Sequence, residues 1–113
     1  MKLEVGMYVR TKWGIAKYVH KAVTKETIYR IVDKNIVSEN EENWQDALLD
    51  SEIIKASYNI IDLIEVGDYV NGKEVVEIHT NWLDLGNDVC EVSDIKTIVT
   101  KEQFESMKYS LEV

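Results

Sequence analysis

The chain has 113 residues, of which 45% are hydrophobic, enough for one compact domain with a packed core. No apolar run approaches the roughly 20 residues that a membrane span needs, and the first residues lack the apolar stretch of a signal peptide. The single cysteine, Cys90, excludes an internal disulfide and favours a reducing, cytoplasmic setting.

The net charge of −8 is distributed unevenly along the chain. Residues 1–37 carry eight lysines and arginines against three acidic residues, a net charge of +5. Residues 38–113 carry five lysines against eighteen acidic residues, a net charge of −13. Such a chain presents one basic and one acidic surface, and the acidic surface would be repelled by the phosphates of a nucleic acid.

A short internal repeat relates the two halves of the chain. Residues 3–9 read Leu-Glu-Val-Gly-Met-Tyr-Val, and residues 64–70 read Ile-Glu-Val-Gly-Asp-Tyr-Val. Each copy is followed by a second glycine, Gly14 or Gly72, and then by a β-rich run, which is the outline of the first hairpin of a small antiparallel barrel. Asn71 with Gly72 predicts a two-residue type I′ turn, because that turn needs positive φ at both positions.

Other strands and helices follow from local composition. Clusters of β-branched and aromatic residues predict strands over Thr27–Val32, Val89–Val92 and Ile95–Thr100. Two capping-box patterns, in which Ser or Thr is followed three residues later by Glu or Gln, predict helix starts. They give a central helix from Glu39 to Leu49 and a short C-terminal helix from Lys101 to Met107.

Together these elements predict a mainly β (α+β) protein. Its two SH3-like small-barrel halves form the internal repeat, with one central helix and a short C-terminal helix. The expected units are an N-terminal SH3-like β subdomain over residues 1–37, a helical connector over 38–57, and a C-terminal SH3-like β subdomain with the short helix over 58–113.

Two segments carry a resemblance to a known group of proteins. Residues 59–72 read Asn-Ile-Ile-Asp-Leu-Ile-Glu-Val-Gly-Asp-Tyr-Val-Asn-Gly, and residues 95–105 read Ile-Lys-Thr-Ile-Val-Thr-Lys-Glu-Gln-Phe-Glu. Together with residues 5–12, they resemble small proteins common in phages and prophages of Gram-positive bacteria, particularly clostridia. The resemblance implies a phage accessory gene, and small acidic proteins of that kind are often inhibitors of host defence. It implies no catalytic residue.

The residues that could carry catalysis or bind a metal do not form a recognisable pattern. His20, His79 and Cys90 are not at the short spacings of metal ligands, so no metal site is expected. Catalysis by Cys90 with a histidine would require the fold to bring them together. The five glycines are scattered singly, so no phosphate-binding loop and no cofactor are expected. We therefore expect a protein that binds and is not an enzyme.

An acidic stripe is expected on the predicted central helix. There Glu39, Glu42, Asp46 and Asp50 are three or four residues apart and share one face. Like charges so placed repel each other, so we expect the stripe to bind a basic surface of a host protein; a solvated face that aids solubility is the alternative. The full set of expected contact residues is Glu39, Glu41, Glu42, Asp46, Asp50 and Glu52.

Exposed aromatic and basic residues form a second set of candidate contacts. Trp13 is expected in a turn and Trp82 in a polar loop, where a tryptophan either covers the core or binds a partner. Arg10 and Lys12 lie beside Trp13 in the basic part of the chain and are further candidates for partner or ligand contact.

Three functions fit these observations. The first is inhibition of a host antiviral defence protein, of the anti-CRISPR kind, through the acidic surface. The second is a sponge that sequesters a small nucleotide signal between protomers. The third is a nucleic-acid-binding barrel that uses Arg10, Lys12, Lys17 and Arg30, against which the net charge argues. We also expect a homodimer, because opposite charges and unpaired strand edges favour self-association, and a location in the host cytoplasm.

Overall fold

The structure, a computed structural model, describes residues 2–33 and 45–111. Within these ranges the chain is mainly β, as predicted, with three antiparallel sheets and one α-helix. The described strands form no closed barrel, and the SH3-like order of each half is not confirmed. None of the helices in these ranges has the length and apolar character needed to cross a membrane.

The largest sheet is built from the N-terminal half and part of the middle segment. Its strands are β1 (Tyr8–Thr11), β2 (Gly14–Thr24), β3 (Thr27–Asp33), β4 (Gln45–Leu48) and β5 (Lys55–Ser57). Their order in the sheet is β4-β3-β2-β1-β5, and every pair is antiparallel. The predicted strand at Thr27–Val32 is confirmed as β3.

The C-terminal half forms two three-stranded sheets. One contains β6 (Tyr69–Val70), β7 (Lys73–Glu74) and β11 (Ile98–Val99). The other, here named the β8–β10 sheet, contains β8 (Glu77–Ile78), β9 (Trp82–Asp84) and β10 (Val89–Glu91). Short 3₁₀ turns lie at Asp50–Glu52, Ile60–Leu63 and Val92–Asp94, and α1 spans Lys101–Leu111.

The internal repeat is present as a local structure. In both copies the turn glycine, Gly6 or Gly67, has φ of +99°. The N–H of Gly6 donates to Tyr18 O at 2.8 Å, and the N–H of Gly67 donates to Val75 O at 3.0 Å. Each half therefore enters its first hairpin through the same turn, although the second hairpin is shorter.

Asn71 forms the predicted type I′ turn with Gly72, since their φ angles are +52° and +80°. Its side chain also fixes the backbone that precedes β11. Asn71 Oδ1 accepts the N–H groups of Lys96 and Thr97 at 2.7 and 3.1 Å, and its Nδ2 donates to Asp94 O at 3.0 Å. These bonds hold the segment as a loop, so the strand predicted over Ile95–Thr100 is limited to Ile98–Val99.

The prediction of a central helix is wrong for residues 45–49, the part of it that the structure describes. Gln45–Leu48 form the edge strand β4, in which Leu48 is buried while its neighbour Ala47 is exposed. That alternation has the period of a strand, and pairing with β3 places Leu48 in the core. The first part of the helix prediction, residues 39–44, lies outside the described residues. In the helical connector predicted over 38–57, the described part supplies β4, a 3₁₀ turn and β5.

The predicted C-terminal helix is confirmed and extends to Leu111. Its capping box is formed as the sequence indicated: Thr100 Oγ1 accepts the N–H of Gln103 at 3.3 Å, and Gln103 Oε1 accepts the N–H of Thr100 at 2.9 Å. The Gln103 side chain also lies against Gly14 at the turn after β1. The start of α1 is thereby packed against the first hairpin.

The five-stranded sheet contributes to two apolar clusters, one on each face. The smaller cluster contains Val9, Ala16, Tyr18, Val32 and Leu48. The larger one joins Ile15 of β2 to the C-terminal half, where its members include Leu63, Val70, Leu83 and Ile95. The two halves therefore share one of these clusters and are not independent modules.

Arg10 of β1 joins the two halves through a buried ion-pair network. Its side chain has no exposed surface, and its guanidinium forms a two-pronged contact with Asp68, at 2.5 Å from Nη1 and 2.8 Å from Nη2. Nη1 also donates to Leu63 O at 2.8 Å, and Nη2 donates to Glu102 of α1 at 2.6 Å. Glu65 Oε2 lies 3.3 Å from Nε. One arginine thus binds three carboxylates of the C-terminal half.

Asp68 is as fully buried as Arg10, and its carboxylate is fully hydrogen-bonded. Besides the guanidinium, it accepts the backbone N–H groups of Glu65 at 2.7 Å and Lys101 at 2.9 Å. Burial alone would raise the pKa of Asp68, but the hydrogen bonds from Arg10, Glu65 and Lys101 outweigh burial and lower it. A depressed carboxyl pKa stabilises the fold above the ordinary pKa, and this contribution is lost as the pH falls through the folded-state value.

We predict that Asp68→Asn destabilises the fold by about 3 kcal/mol at neutral pH, because it removes one charge of a buried pair and leaves Arg10 poorly compensated. Urea unfolding followed by tryptophan fluorescence measures this. The difference from the wild type should narrow as the pH falls below about 4, where the carboxyl group takes up a proton in the unfolded wild type before it does so in the folded protein.

The matched control is Asp88→Asn, which removes a carboxylate that is 55% exposed and pairs with Lys73 at 2.9 Å on the surface. We expect no measurable change in its unfolding midpoint, because exposed pairs are screened by solvent. Equal midpoints for the two variants would contradict the structural role of Asp68.

Candidate binding surface

The outward face of the β8–β10 sheet carries carboxylates around an aromatic pair. Side chains alternate along a strand, and Leu83 and Cys90 point into the core. Their neighbours in sequence therefore point outward, which is consistent with the exposure of Val89 and Glu91. We name this surface the acidic face; its members are Glu77, His79, Trp82, Asp84, Val89 and Glu91.

Trp82 and His79 form the centre of the acidic face. Their rings are stacked, with centroids 3.7 Å apart and an interplanar angle of 7°. His79 Nε2 lies 3.6 Å from Glu77 Oε1, and Glu91 is the cross-strand neighbour of Trp82. An aromatic surface bordered by carboxylates is suited to a cationic group, because both the π-face and the negative charge attract it.

The strand register places like charges opposite each other on this face. Glu77 pairs with Asp84 across the β8–β9 ladder, an arrangement that destabilises a sheet. Asp84 also caps its own loop by accepting the N–H of Gly86 at 2.9 Å. Val89, which pairs with Asp84 from the other side, is 63% exposed. The carboxylate pair and the exposed valine therefore contribute little to the stability of the fold.

Trp82 lies in strand β9 and not in the polar loop that the sequence predicted. The turn at this position is shorter than expected, because the N–H of His79 donates to Trp82 O at 2.9 Å and leaves only Thr80 and Asn81 between them. The alternation of residues 77–79 and 82–84 is a signal that could have identified the hairpin. With it, Glu77, Asp84 and Glu91 would have been assigned to one face with Trp82.

The acidic residues predicted as a stripe do not lie along one helix in the described part of the chain. Asp46 is on β4, and Asp50 and Glu52 are in a 3₁₀ turn. Asp50 binds the Arg30 side chain at 2.8 Å from Nε and 3.3 Å from Nη2, and the hydrogen bond from Arg30 lowers the pKa of Asp50. Glu52 accepts the N–H of Leu49 at 2.8 Å. The remaining stripe residues, Glu39, Glu41 and Glu42, lie outside the described residues.

The predicted contacts in the basic part of the chain have different environments. Trp13 is in the turn between β1 and β2 and is 42% exposed, with Lys12 Nζ 4.6 Å from its ring centre. Trp13 also lines a pocket of about 100 Å³ beside Leu48 and Gln103, which is smaller than the sites of most small-molecule ligands. Arg10 is entirely buried and serves the ion-pair network described above.

Cys90 is a core residue whose thiol is buried. It is 4% exposed and packs in the larger apolar cluster. Burial raises the pKa of its thiol, and the nearby carboxylates of Asp94, Asp88 and Glu91 raise it further. The described residues contain no group of histidine, cysteine and acidic side chains that could hold a metal ion.

We predict that Cys90 reacts with a thiol reagent such as Ellman's reagent at least about tenfold more slowly in the folded protein than after unfolding, because the thiolate is the reacting species. The absorbance of the released thiolate dye at mildly alkaline pH measures both rates. The urea-unfolded protein is the control and should react with one equivalent. Rapid labelling of the folded protein would show that Cys90 is accessible and activated.

The comparisons with known proteins add no constraint to this geometry. No family model, curated protein or solved structure matches the chain. The acidic face, the buried network and the charge distribution of the chain are therefore the features from which a function can be inferred.

Proposed function

We propose that this chain is a non-enzymatic binding protein whose acidic face docks on a basic surface of another protein. The observation that carries the proposal is the stacked Trp82–His79 pair on a solvent-facing sheet between Glu77 and Glu91. The resemblance to phage accessory proteins makes a host antiviral defence protein, of the kind that anti-CRISPR inhibitors block, the first partner class to test.

The energetics of the face support a role in recognition. The opposed carboxylates destabilise the isolated sheet and the exposed valine adds little to its stability, whereas a cationic partner would neutralise the former and cover the latter. Aromatic residues at the centre of a binding surface supply most of its affinity, and the surrounding charges mainly accelerate and orient association. The net charge of −13 over residues 38–113 adds long-range attraction to a basic partner.

The acidic face offers carboxylates with fewer contacts than Asp50 and Glu52 of the stripe predicted from the sequence. Asp50 is already paired with Arg30, and Glu52 is occupied by the backbone of Leu49. A partner would have to compete with these contacts. On the acidic face, the Glu91 carboxylate has no hydrogen bond or ion pair among the described residues, and the Glu77 carboxylate has only the 3.6 Å contact with His79.

Two of the basic residues expected to bind a nucleic acid or a nucleotide are already paired within the chain. Arg10 is buried among carboxylates, and Arg30 is bound to Asp50. A second copy of this chain is a further partner to consider, because the exposed Lys21 and Lys25 lie on the β2–β3 hairpin. Light scattering of the purified protein distinguishes a homodimer from a monomer.

We predict that Glu77→Lys combined with Glu91→Lys slows association with the partner by about tenfold or more, because two attractive charges become repulsive. The protein, immobilised as bait in a clostridial lysate, recovers the partner, and surface plasmon resonance then measures the association rate. Raising the salt concentration from ~50 to ~300 mM should also slow association of the wild-type protein.

The matched control is Glu74→Lys combined with Glu105→Lys, which makes the same change in net charge at exposed positions off the acidic face. We expect near wild-type association from this variant and an unchanged unfolding temperature for both. If the two double variants behave alike, net charge alone governs binding and the acidic face has no specific role.

A further inference from the structure

A groove of about 500 Å³ lies where the two halves meet. Tyr8 of β1 contributes from the five-stranded sheet, and Tyr58 precedes the 3₁₀ turn that contains the buried Ile60 and Ile61. The β8–β9 turn completes the lining with Thr80 and Asn81. Grooves of this volume at the junction of two structural units are common binding sites.

The polar groups around the groove are available to a ligand. The side chains of Asn59, Thr80 and Asn81 are exposed and make no hydrogen bond with any described residue. Amides and hydroxyls of this kind can both donate to and accept from the backbone of an extended peptide. The groove therefore combines an apolar lining with polar groups that match a main chain.

The Tyr58 end of the groove is acidic. Tyr58 is 54% exposed, and its hydroxyl donates to Glu4 Oε2 at 2.9 Å. Asp62, which also lines the groove, accepts the hydroxyl of Ser57 at 2.6 Å. The Tyr8 ring already has a cation of the chain itself nearby, Lys17 Nζ at 5.8 Å. An exposed aromatic ring at the acidic end of a groove is a favourable position for an incoming cation, whereas a phosphate would be repelled.

The groove borders the acidic face at the β8–β9 turn. Thr80 and Asn81, which line the groove, are the two residues between His79 and Trp82. On the other side, the N–H of Val92, another lining residue, donates to Asn81 O at 3.3 Å, and Val92 directly follows Glu91. A chain segment bound to the acidic face could therefore continue into the groove.

We propose that the groove binds an extended, arginine-bearing peptide segment of the partner, with the guanidinium on the Tyr58 ring and the peptide backbone on Asn59 and Asn81. This inference rests on the proposed function and specifies how the basic partner is recognised. Arginine is preferred to lysine because its planar guanidinium stacks on a ring and binds carboxylates with several donors, whereas an ammonium is a compact, strongly hydrated charge.

The test uses two synthetic peptides of alternating proline and arginine or proline and lysine, chosen because proline keeps them extended. Fluorescence anisotropy gives the affinity for the full chain, and NMR chemical-shift changes locate the bound peptide. We expect the arginine peptide to bind about fivefold more tightly than the lysine peptide. The shifts should concentrate at Tyr58, Asn59 and Asn81.

Variants of the groove separate recognition from general charge attraction. Tyr58→Ala should weaken binding of the arginine peptide about tenfold and reduce the difference in affinity between the two peptides. Tyr58→Phe, which keeps the ring, should retain most of the affinity. The matched control is Tyr29→Ala, on strand β3 away from the groove, and it should bind like the wild type. Circular dichroism confirms that each variant is folded.

The outcomes distinguish this inference from the proposed function. If both peptides bind with equal affinity, or if Tyr58→Ala leaves the affinity unchanged, the groove is not an arginine-peptide site. If partner capture still depends on Glu77 and Glu91 in that case, the proposed function stands. If the groove prefers arginine but capture does not depend on those glutamates, the acidic face is rejected. Displacement of the arginine peptide by a single-stranded oligonucleotide that shifts the groove residues would overturn the peptide assignment.

Discussion

The ion pair between Arg10 and Asp68 determines how the two halves of the molecule are arranged. A buried guanidinium requires its partners in fixed positions, because leaving either charge unpaired is far more costly than forming the pair is favourable. The two copies of the internal repeat share a turn and differ at one important position: the residue after the turn glycine is Met7 in the first copy and Asp68 in the second. That difference supplies the carboxylate that binds β1 of the first half.

The sequence signals that predicted the fold correctly are local ones. Asn71 with Gly72 specifies its own turn, and Thr100 with Gln103 specifies a helix start, since each pair supplies the required backbone conformation or hydrogen bond. The helix prediction for the middle segment failed for a different reason. Leu48 fits a helical face and a strand equally well, and pairing with β3, a contact between distant residues, decided between them. The burial of Arg10 was equally unpredictable, because its three carboxylate partners are more than fifty residues away.

The candidate surface was partly predictable from the sequence. The sequence marks Trp82 as a candidate contact and the C-terminal part as acidic, but grouping the carboxylates with Trp82 depends on the β8–β9 register, for which the sequence signal is the alternation of residues 77–79 and 82–84. The groove could not be identified at all, because Tyr8, Tyr58 and Asn81 come from three separate elements. The five-stranded sheet contributes to clusters on both faces, and the surfaces that we propose for recognition therefore lie on the outer side of the β8–β10 sheet and in the junction groove.

The position of Glu102 has a consequence for the order of events during synthesis. Arg10 is made early, whereas Asp68 and Glu102 follow it by 58 and 92 residues. On a ribosome, the first hairpin emerges while the guanidinium still has no carboxylate partner and must stay hydrated. Contacts between such distant residues close late, and the inner side of β1 remains uncovered in the meantime. The nascent N-terminal half therefore cannot adopt its final packing until residue 102 has been synthesised, and that side of β1 is open to aggregation during this interval.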